Sequence, residues 1–306
     1  MSPIDHPEVS LDPLTPTLLL QRSLRVFPER IAIVDGDEEW TYTRFAEEVG
    51  RLAGALRRSG IEAGDRVAVL LHNTAIHLTA DFAMPLIEAP LVSINTRLGP
   101  GEIAYILEHS GARILLVDPE LAEPLGDVLG SIPTVETVVE VPHGDVAVHE
   151  GALSYDAFVA DAEVLPIVST LEDENAVLAI NYTSGTTGQP KGVMYSHRGA
   201  YLNALGQIGT HRLDTGTTFL WTLPLFHCNG WCMPWAVTGA AGRHICLRGV
   251  DAAEIIRLID AYSVTHFNAA PTVLLMISSH EDAAGRHFEP PIRVCTGGAP
   301  PSPTLL

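Results

Sequence analysis

The order of apolar and polar residues along the chain predicts short buried strands that alternate with amphipathic helices. The apolar runs typical of buried strands lie at 67–71, 91–94, 114–117, 176–180, 219–223, 245–247, 266–269 and 292–295. Strands that alternate with helices over such a length are typical of parallel sheets. The pattern therefore predicts an α/β fold in which layered, parallel-rich sheets are flanked by helices.

Local signals predict several of the connections between these strands. Residues 31–34 and 40–42 flank an Asp-Gly turn and predict a β-hairpin. In the helix predicted next, the residues on one face are Phe45, Val49, Leu52 and Leu56, and Gly60 ends it. A later helix is predicted after Ser196, and its apolar face carries Tyr201, Leu202, Leu205 and Ile208. Asp251 with Glu254 predicts the start of another.

The same pattern suggests how the chain is divided. Residues 1–28, with prolines at positions 3, 7, 13 and 16, are expected to form an arm that leads into a short helix. The segment 142–174 is acidic and weakly periodic, which makes it the best internal boundary. We therefore expect a first α/β subdomain over 29–170 and a second, incomplete one over 171–306.

Composition narrows the classes of function. The chain has 306 residues, a net charge of -19 and a mean hydropathy of +0.20. The negative charge argues against nucleic acid or an anionic membrane as a partner. No apolar run approaches the ~18 residues that a membrane helix needs. Because the N-terminus also lacks a basic region followed by an apolar stretch, a cytoplasmic location is expected.

The cysteines do not suggest a disulfide framework. Four occur, at positions 228, 232, 246 and 295, and their spacing fits neither paired disulfides nor zinc knuckles. A zinc site formed by His227, His244 and the nearby cysteines is an alternative, because these residues lie close in sequence. Reduced, buried cysteines are the expected state.

The most distinctive chemistry lies in the segment Tyr-Thr-Ser-Gly-Thr-Thr-Gly-Gln-Pro-Lys-Gly, residues 182–192, which contains Lys191, the one lysine of the chain. Its glycines allow a run of backbone N–H groups to surround an anion, and its hydroxyls and ammonium add donors. The segment is not a Walker loop, because Gly185 and its spacer lead to Pro190. The candidate phosphate ligands are Thr183, Ser184, Gly185, Thr186, Thr187, Gly188 and Lys191.

This segment resembles the phosphate-binding signature of the adenylate-forming superfamily, which includes acyl-CoA synthetases, adenylation domains and firefly-type luciferases. Further segments resemble the same superfamily in the same order, namely residues 95–112, 223–231 and 296–300. The version His-Cys-Asn-Gly-Trp at 227–231 is most similar to members that act on fatty or other small organic acids. The resemblance covers the chain from about residue 30 onward.

The resemblance implies an activity and a set of site residues. An acid would react with ATP to give acyl-AMP and pyrophosphate, and coenzyme A would then take the acyl group as a thioester. Magnesium would assist at the phosphates, and the partners would be a small carboxylic acid, ATP and coenzyme A, with a homodimer left open. The implied acyl-pocket residues are His227, Asn229, Gly230 and Trp231, and the implied adenylate-binding residues are Gly297, Gly298, Ala299 and Pro300.

The chain also departs from the superfamily pattern. The acidic Tyr-Gly-x-Thr-Glu motif, a ribose-binding Asp and a second lysine are expected after residue 300, and the sequence contains none of them. No catalytic residue and no metal ligand is therefore assigned. The expectation is the N-terminal portion of a longer AMP-forming acid–thiol ligase. A non-catalytic remnant that binds nucleotide is the alternative.

A dinucleotide-binding module of the dehydrogenase type is a rival from another class. Residues 99–104 read Gly-Pro-Gly-Glu-Ile-Ala after a strand, and Asp118 ends the next strand, where such a fold places its ribose-binding acid. Against this, residues 96–98 separate the strand from the first glycine, and Pro100 removes one N–H group. Marking the start of a helix is the favoured role of these residues. The sequence has no G-x-S-x-G motif, which argues against classical hydrolase chemistry.

Overall fold

The computed structural model of the chain describes residues 12–144, 146–183 and 189–300. Thirteen strands in this part of the chain form two sheets. The strands of the seven-stranded sheet are β3 (Arg66–Leu70), β4 (Leu91–Ser93), β5 (Ala112–Val117), β6 (Thr137–Glu140), β7 (Leu153–Ser154), β8 (Val177–Thr183) and β9 (Lys191–Ser196). Those of the six-stranded sheet are β1 (Ile31–Asp35), β2 (Glu38–Thr41), β10 (Thr218–Leu220), β11 (Arg243–Ile245), β12 (His266–Asn268) and β13 (Arg293–Cys295).

Both sheets are parallel except at one edge each. The seven-stranded sheet has the order β7-β6-β5-β3-β4-β8-β9, in which only β9 runs antiparallel to its neighbour. The six-stranded sheet has the order β13-β12-β10-β11-β1-β2, in which β2 is the antiparallel strand. The predicted parallel-rich α/β architecture is confirmed. Each sheet takes strands from both sides of residue 170, so the division of the chain there stays a prediction.

Helices cover and separate the sheets. They are α1 (Thr17–Val26), α2 (Tyr42–Arg58), α3 (Ala75–Leu86), α4 (Pro100–Ser110), α5 (Pro119–Ala122), α6 (Gly126–Leu129), α7 (Tyr155–Val159), α8 (His197–His211), α9 (Cys228–Trp231), α10 (Met233–Gly239), α11 (Ala252–Tyr262) and α12 (Pro271–Ser278), with short 3-10 segments at Glu123–Leu125 and Glu281–Ala283. Within the described residues, every helix is too short or too polar to span a lipid bilayer.

Three apolar clusters show how these elements are layered. The largest lies between the sheets, where α1, α2, α3, α8 and α10 pack against residues of both, such as Val67 and Phe219. A second cluster packs α4, α5 and α6 on the outer face of the seven-stranded sheet, around Ile106. A third packs α11 and α12 on the outer face of the six-stranded sheet, around Ile255. The layers therefore run helix, sheet, helix, sheet, helix.

Capping interactions fix several predicted helix starts. The Thr41 hydroxyl accepts a hydrogen bond from the backbone of Arg44 at the start of α2, and Asp251 caps α11 by accepting from Glu254. At α4 the Glu102 carboxylate accepts from the backbone N–H of Gly99 at 3.1 Å, and Pro100 occupies the first helical position. The 99–104 segment is thus a helix start, as favoured above.

Three predictions about local structure were wrong or incomplete. Strands β6 and β7 were not predicted. The segment between β8 and α8 was predicted as loop alone, yet from Lys191 it forms β9, which pairs with β8 in antiparallel register. The predicted apolar face of α8 is half right: Tyr201 and Ile208 pack against the core, but Leu202 and Leu205 are exposed, and the buried residues are His197, Ala200 and Ala204.

Two polar connections join the carboxyl ends of the two sheets. The Asn73 amide, just after β3, donates to the carbonyls of Trp221 and Leu223 and accepts from the backbone of Leu225 at 2.8 Å. The Asp118 carboxylate, just after β5, accepts from the Arg248 guanidinium at 3.0 Å. Since parallel strands carry ligands at their carboxyl ends, these contacts frame the region where a site is expected.

Candidate functional site

The predicted phosphate segment is held between two paired strands. Thr183 ends β8 and pairs with Lys191, the first residue of β9. Gly192 is tightly packed, because a Cβ there would lie 2.9 Å from Ile180 and 3.2 Å from the Tyr182 ring. Lys191 is exposed. The strand pair thus presents Thr183 and the lysine together at the carboxyl end of β8.

The other predicted phosphate ligands lie outside the described residues. They are Ser184, Gly185, Thr186, Thr187 and Gly188. Their assignment rests on the sequence resemblance alone.

A cavity of about 310 Å³ opens beside this strand pair. Thr183 and Pro190 line it from the strand pair, and Phe226 and His227 line it from the opposite side. The remaining lining comes from the ends of β4 and β8 and from α4, with Ser93, Asn95, Leu98, Glu102, Ile106, Asn181 and Tyr182. The structure therefore brings the predicted phosphate segment and the predicted acyl-pocket histidine to one cavity.

Asn181 links the two walls of this cavity, and sequence reasoning missed it. Its amide nitrogen donates to the Phe226 carbonyl at 3.3 Å, across the gap between the sheets. Its side-chain oxygen is buried and has no protein partner. A buried acceptor without a partner is a common mark of a ligand or water position. An Asn that ends an apolar strand was the signal available in the sequence.

The segment after His227 adopts an unusual backbone. Asn229 (φ 44°), Gly230 (φ 55°), Trp231 (φ 56°) and Cys232 (φ 60°) are all left-handed. Only glycine tolerates this conformation without cost, so the three other residues store backbone strain. Strain of this kind concentrates at functional sites, where the surrounding contacts hold it in place.

This left-handed turn brings Trp231 to the predicted adenylate segment. A Cβ at Gly297 would lie 2.7 Å from the Trp231 ring, so the indole packs directly on the glycine backbone. Gly298 follows with φ +85°, and a Cβ there would meet nothing within 4 Å. Ala299 and Pro300 continue the segment and are exposed. Two segments that are more than sixty residues apart in sequence thus share one surface.

Further unpaired polar atoms lie at this end of the six-stranded sheet. Asn268 ends β12 opposite Cys295 of β13, and both its side-chain nitrogen and oxygen are buried without a protein partner. The hydroxyl of Thr296, the next residue after β13, is in the same state. These groups are available to a ligand, and only Thr296 was within a segment that the sequence singled out.

Behind the turn, a buried acid supports Asn229. The Asp81 carboxylate in α3 accepts from the Asn229 amide at 2.9 Å. Burial raises the pKa of Asp81 to about 8, against the smaller opposing effect of the Asn229 hydrogen bond. The sequence predicted neither the contact between Asp81 and Asn229 nor a role for Asp81.

Among the described residues, one group of three side chains has the types and spacing of metal ligands, but these side chains are engaged in hydrogen bonds and ion pairs with protein groups. It consists of His72, Asp118 and Glu120. Asp118 accepts from the backbone of His72 and from Arg248, while Glu120 binds Arg248 and the His72 ring. Asp118 is fully buried in these contacts. This arrangement contradicts the rival role of Asp118 as a ribose-binding acid, and no described group combines the cysteines with His227 or His244.

A larger cavity, of about 550 Å³, lies at the ends of β1 and β6 and is lined by both acidic and basic residues such as Asp35 and Arg248. None of the predicted site residues lines it. The smaller cavity, at which the predicted residues and the unpaired Asn181 oxygen converge, is therefore the candidate site.

Comparison with known proteins shows what this arrangement is similar to. The AMP-binding enzyme family matches residues 20–306. The chain is 34% identical over 297 residues to 4-hydroxybutyrate–CoA ligase 2 of Metallosphaera sedula, and 36% identical over 310 residues to the peroxisomal butyrate–CoA ligase AAE11 of Arabidopsis thaliana. Each match covers 96% of this chain, but 54% and 53% of the two relatives. The chain thus spans about half the length of these relatives.

Solved structures agree with the fold. The anthranilate CoA ligase AuaEII in complex with anthranoyl-AMP superposes with a TM-score of 0.84 at 25% identity, over 94% of this chain and 56% of that one. The inhibitor-bound N-terminal domain of FACL13 from Mycobacterium tuberculosis gives 0.84 at 26% identity, over 95% and 72%. Both are similar in architecture to the layered sheets described above.

Proposed function

Because this chain belongs to the AMP-binding enzyme family, we propose that it forms the nucleotide- and acid-binding part of an AMP-forming acyl-CoA ligase. The single observation that carries the proposal is the cavity that joins Thr183 of the phosphate segment to His227. The sequence resemblance had assigned these two residues to the two ends of one reaction. In that reaction a carboxylate attacks the α-phosphorus of ATP, and coenzyme A later displaces AMP to give the thioester.

The residues around the cavity would act by position and charge, on which nucleotidyl transfer mostly depends. We assign Thr183, Lys191 and residues 184–188 to the β- and γ-phosphates, which leave as pyrophosphate. Lys191 and Thr183 stand opposite each other in the strand pair, which supports a shared ligand. His227 would border the carboxylate of the acid.

The adenylate end of the site is proposed on the Trp231–Gly297 contact. Gly297 has no side chain, so the indole lies close to the backbone of this residue. The unpaired groups of Asn268 and Thr296 would supply hydrogen bonds to the nucleotide or the acyl-phosphate. Asn229 and Gly230 would shape the acyl side through the left-handed turn.

Magnesium fits this part of the chain poorly. Among the described residues, the one candidate group of ligands is bound to Arg248, and the cavity carries Glu102, which caps α4. Magnesium is commonly held through substrate phosphates and waters, with few protein ligands. We assign no reaction step to the ion from the residues present.

The class of acid is proposed as fatty or other small organic acids. Support comes from the His-Cys-Asn-Gly-Trp segment and from relatives whose names specify 4-hydroxybutyrate and butyrate. The cytoplasmic location stays a prediction, since several relatives, AAE11 among them, are named peroxisomal.

Calorimetric titration of the purified chain with a non-hydrolysable acyl-adenylate analogue tests the proposal, with NADH titrated in parallel. Saturable binding of the analogue without binding of NADH is the expected result. A folded chain that binds NADH and not the analogue would overturn the family-based function. Exchange of labelled pyrophosphate into ATP, measured on the same protein, separates an active ligase from a chain that only binds.

A further inference from the structure

Asp81 lies at the centre of a polar contact that the proposed reaction does not use. Its side chain is fully buried in α3, and its Oδ1 atom accepts a hydrogen bond from the Asn229 amide at 2.9 Å. The backbone carbonyl of the same residue accepts from the Trp235 indole at 2.9 Å. Asp81 therefore contacts both the left-handed turn and the helix α10 that follows it.

Two oxygens in this contact are left unpaired. They are Oδ2 of Asp81 and Oδ1 of Asn229, and both are buried without a partner. An ionised carboxylate only accepts hydrogen bonds. With Asp81 ionised, neither its Oδ2 atom nor the Asn229 Oδ1 atom would therefore have a donor in this contact. A protonated carboxyl group has an O–H donor. It would complete a two-bond pair with the amide, in which each group donates once and accepts once.

The surroundings of Asp81 favour the neutral form. Burial is the largest influence on its pKa, and no charged side chain is among the influences. Apart from Asp81, the fully buried titratable groups of α3 and of the elements packed against it are Tyr42 of α2 and His77 of α3 itself. The remaining charged groups of these elements are at least partly exposed and do not influence the pKa of Asp81; they are Arg22 and Arg25 of α1, Asp35 of β1, Arg66 of β3, and Arg44, Glu47, Glu48, Arg51, Arg57 and Arg58 of α2. Burial lowers the pKa of His77 to about 4, and it raises that of Tyr42. Neither is charged near neutral pH.

The turn that Asp81 contacts needs such support. Asn229, Trp231 and Cys232 hold left-handed backbone angles that are unfavourable for residues with a side chain. The turn also places the Trp231 ring on Gly297. Asn229 itself is fully buried, so its side chain has no water to replace a lost protein partner.

We propose that Asp81 is a positioning residue of the acyl pocket, whose protonated carboxyl group pairs with the Asn229 amide and thereby fixes the turn that sets Trp231 against Gly297. The inference rests on the proposed function only in assigning the surface formed by this turn and Gly297 to the acyl pocket. The pairing and its effect on Trp231 are properties of the folded chain and can be measured without any ligand.

The first experiment is therefore ligand-free. The carboxyl carbon of Asp81 is followed by NMR from acidic to alkaline pH and is assigned with Asp81→Asn. The Trp231 indole N–H signal is assigned with Trp231→Phe. We expect Asp81 to stay protonated at pH 7. The Trp231 indole signal should shift in Asp81→Leu. It should not shift in Asp81→Asn, because an amide can also donate one hydrogen bond and accept one.

The second experiment measures the acyl-adenylate analogue in the same variants. Asp81→Leu should bind about tenfold more weakly, as expected when a buried amide loses its partner. Asp81→Asn should bind as the wild type does.

Several results would overturn the inference. An Asp81 carboxyl group that is ionised at pH 6 would contradict the pair. A Trp231 signal that does not shift in Asp81→Leu would contradict its positioning effect. Equal losses of affinity in the Leu and Asn variants would contradict the pairing geometry. If the wild type binds no analogue while the NMR results hold, the proposed function fails and the Asp81–Asn229 pair stands.

Discussion

The Trp231 indole lies directly on the backbone of Gly297, with its ring 2.7 Å from the position that a Cβ would take there. This contact joins the turn after His227 to the segment after β13. It depends on a missing side chain, because contacts between a real Cβ and a ring atom do not become this short. Gly297 therefore sets the distance between two walls of the proposed site.

Gly297→Ala tests this contact. The added methyl group must displace the Trp231 ring, so we expect the acyl-adenylate analogue to bind at least about tenfold more weakly, equivalent to ~1.4 kcal/mol. Calorimetric titration measures the change. Gly206→Ala in α8 is the matched control, because a Cβ there has free space and the position lies outside the proposed site. Equal loss of affinity in the two variants would argue against the contact.

Lys191→Ala tests the phosphate assignment. Because the proposed role of this lysine is to neutralise phosphate charge, removing it should weaken binding of ATP and pyrophosphate by about fivefold to tenfold. Binding of AMP should change little. Arg257→Ala, which removes an exposed charge paired with Glu254, serves as the control. A comparable loss for AMP and for pyrophosphate would place the lysine elsewhere in the site.

Asn73→Ala tests the connection between the two sheets. The side chain makes its hydrogen bonds to residues 221, 223 and 225 while buried, so its loss leaves backbone groups unpaired. We expect the free energy of unfolding to fall by about 2–4 kcal/mol. Urea titration measures it. The exposed Asn203→Ala on α8 should change stability by no more than ~0.5 kcal/mol.

The fold was predictable from the sequence wherever strands are buried on both faces. Runs such as 67–71 and 114–117 read as continuous apolar stretches because both faces of a parallel sheet are covered. Strand β9 has no such signal, since Val193 and Met194 are exposed at a sheet edge and its pairing uses backbone groups. Helix α8 misled the prediction because its buried face uses the small Ala200 and Ala204.

The site was predictable only where a contiguous segment carries it. Thr183, Lys191, His227, Trp231 and Gly297 belong to segments that resemble a known family. Asp81 and Asn268 do not, because their roles arise from folding: the residues that Asp81 meets, for example, lie 148 positions along the chain. A single sequence contains no local signal for a partner at that separation.

Acid should destabilise the fold through His244. This ring is buried between the Trp221 indole, which donates to its Nδ1 at 3.1 Å, and the Thr238 hydroxyl at 3.0 Å from Nε2. Burial lowers the pKa of His244 to about 3, from an ordinary value of 6.5. The neutral ring therefore favours folding above pH 6.5, and this contribution is lost as the pH falls from 6.5 toward 3. Its full size is on the order of 5 kcal/mol.

His244→Asn should remove the share of the pH dependence that His244 carries, while His77 and His197, in which burial lowers the pKa to about 4, keep theirs. The Asn oxygen can replace Nδ1 as the acceptor for Trp221, yet it does not titrate. We expect the variant to be less stable than the wild type at pH 7, because the smaller side chain leaves a cavity, and the gap to narrow by about 1.4 kcal/mol per pH unit below 6.5. Urea unfolding between pH 4.5 and 8 measures this. His287→Asn, at an exposed position, should leave the slope unchanged, and a His244→Asn slope equal to that of the wild type would show that His244 does not carry the acid sensitivity.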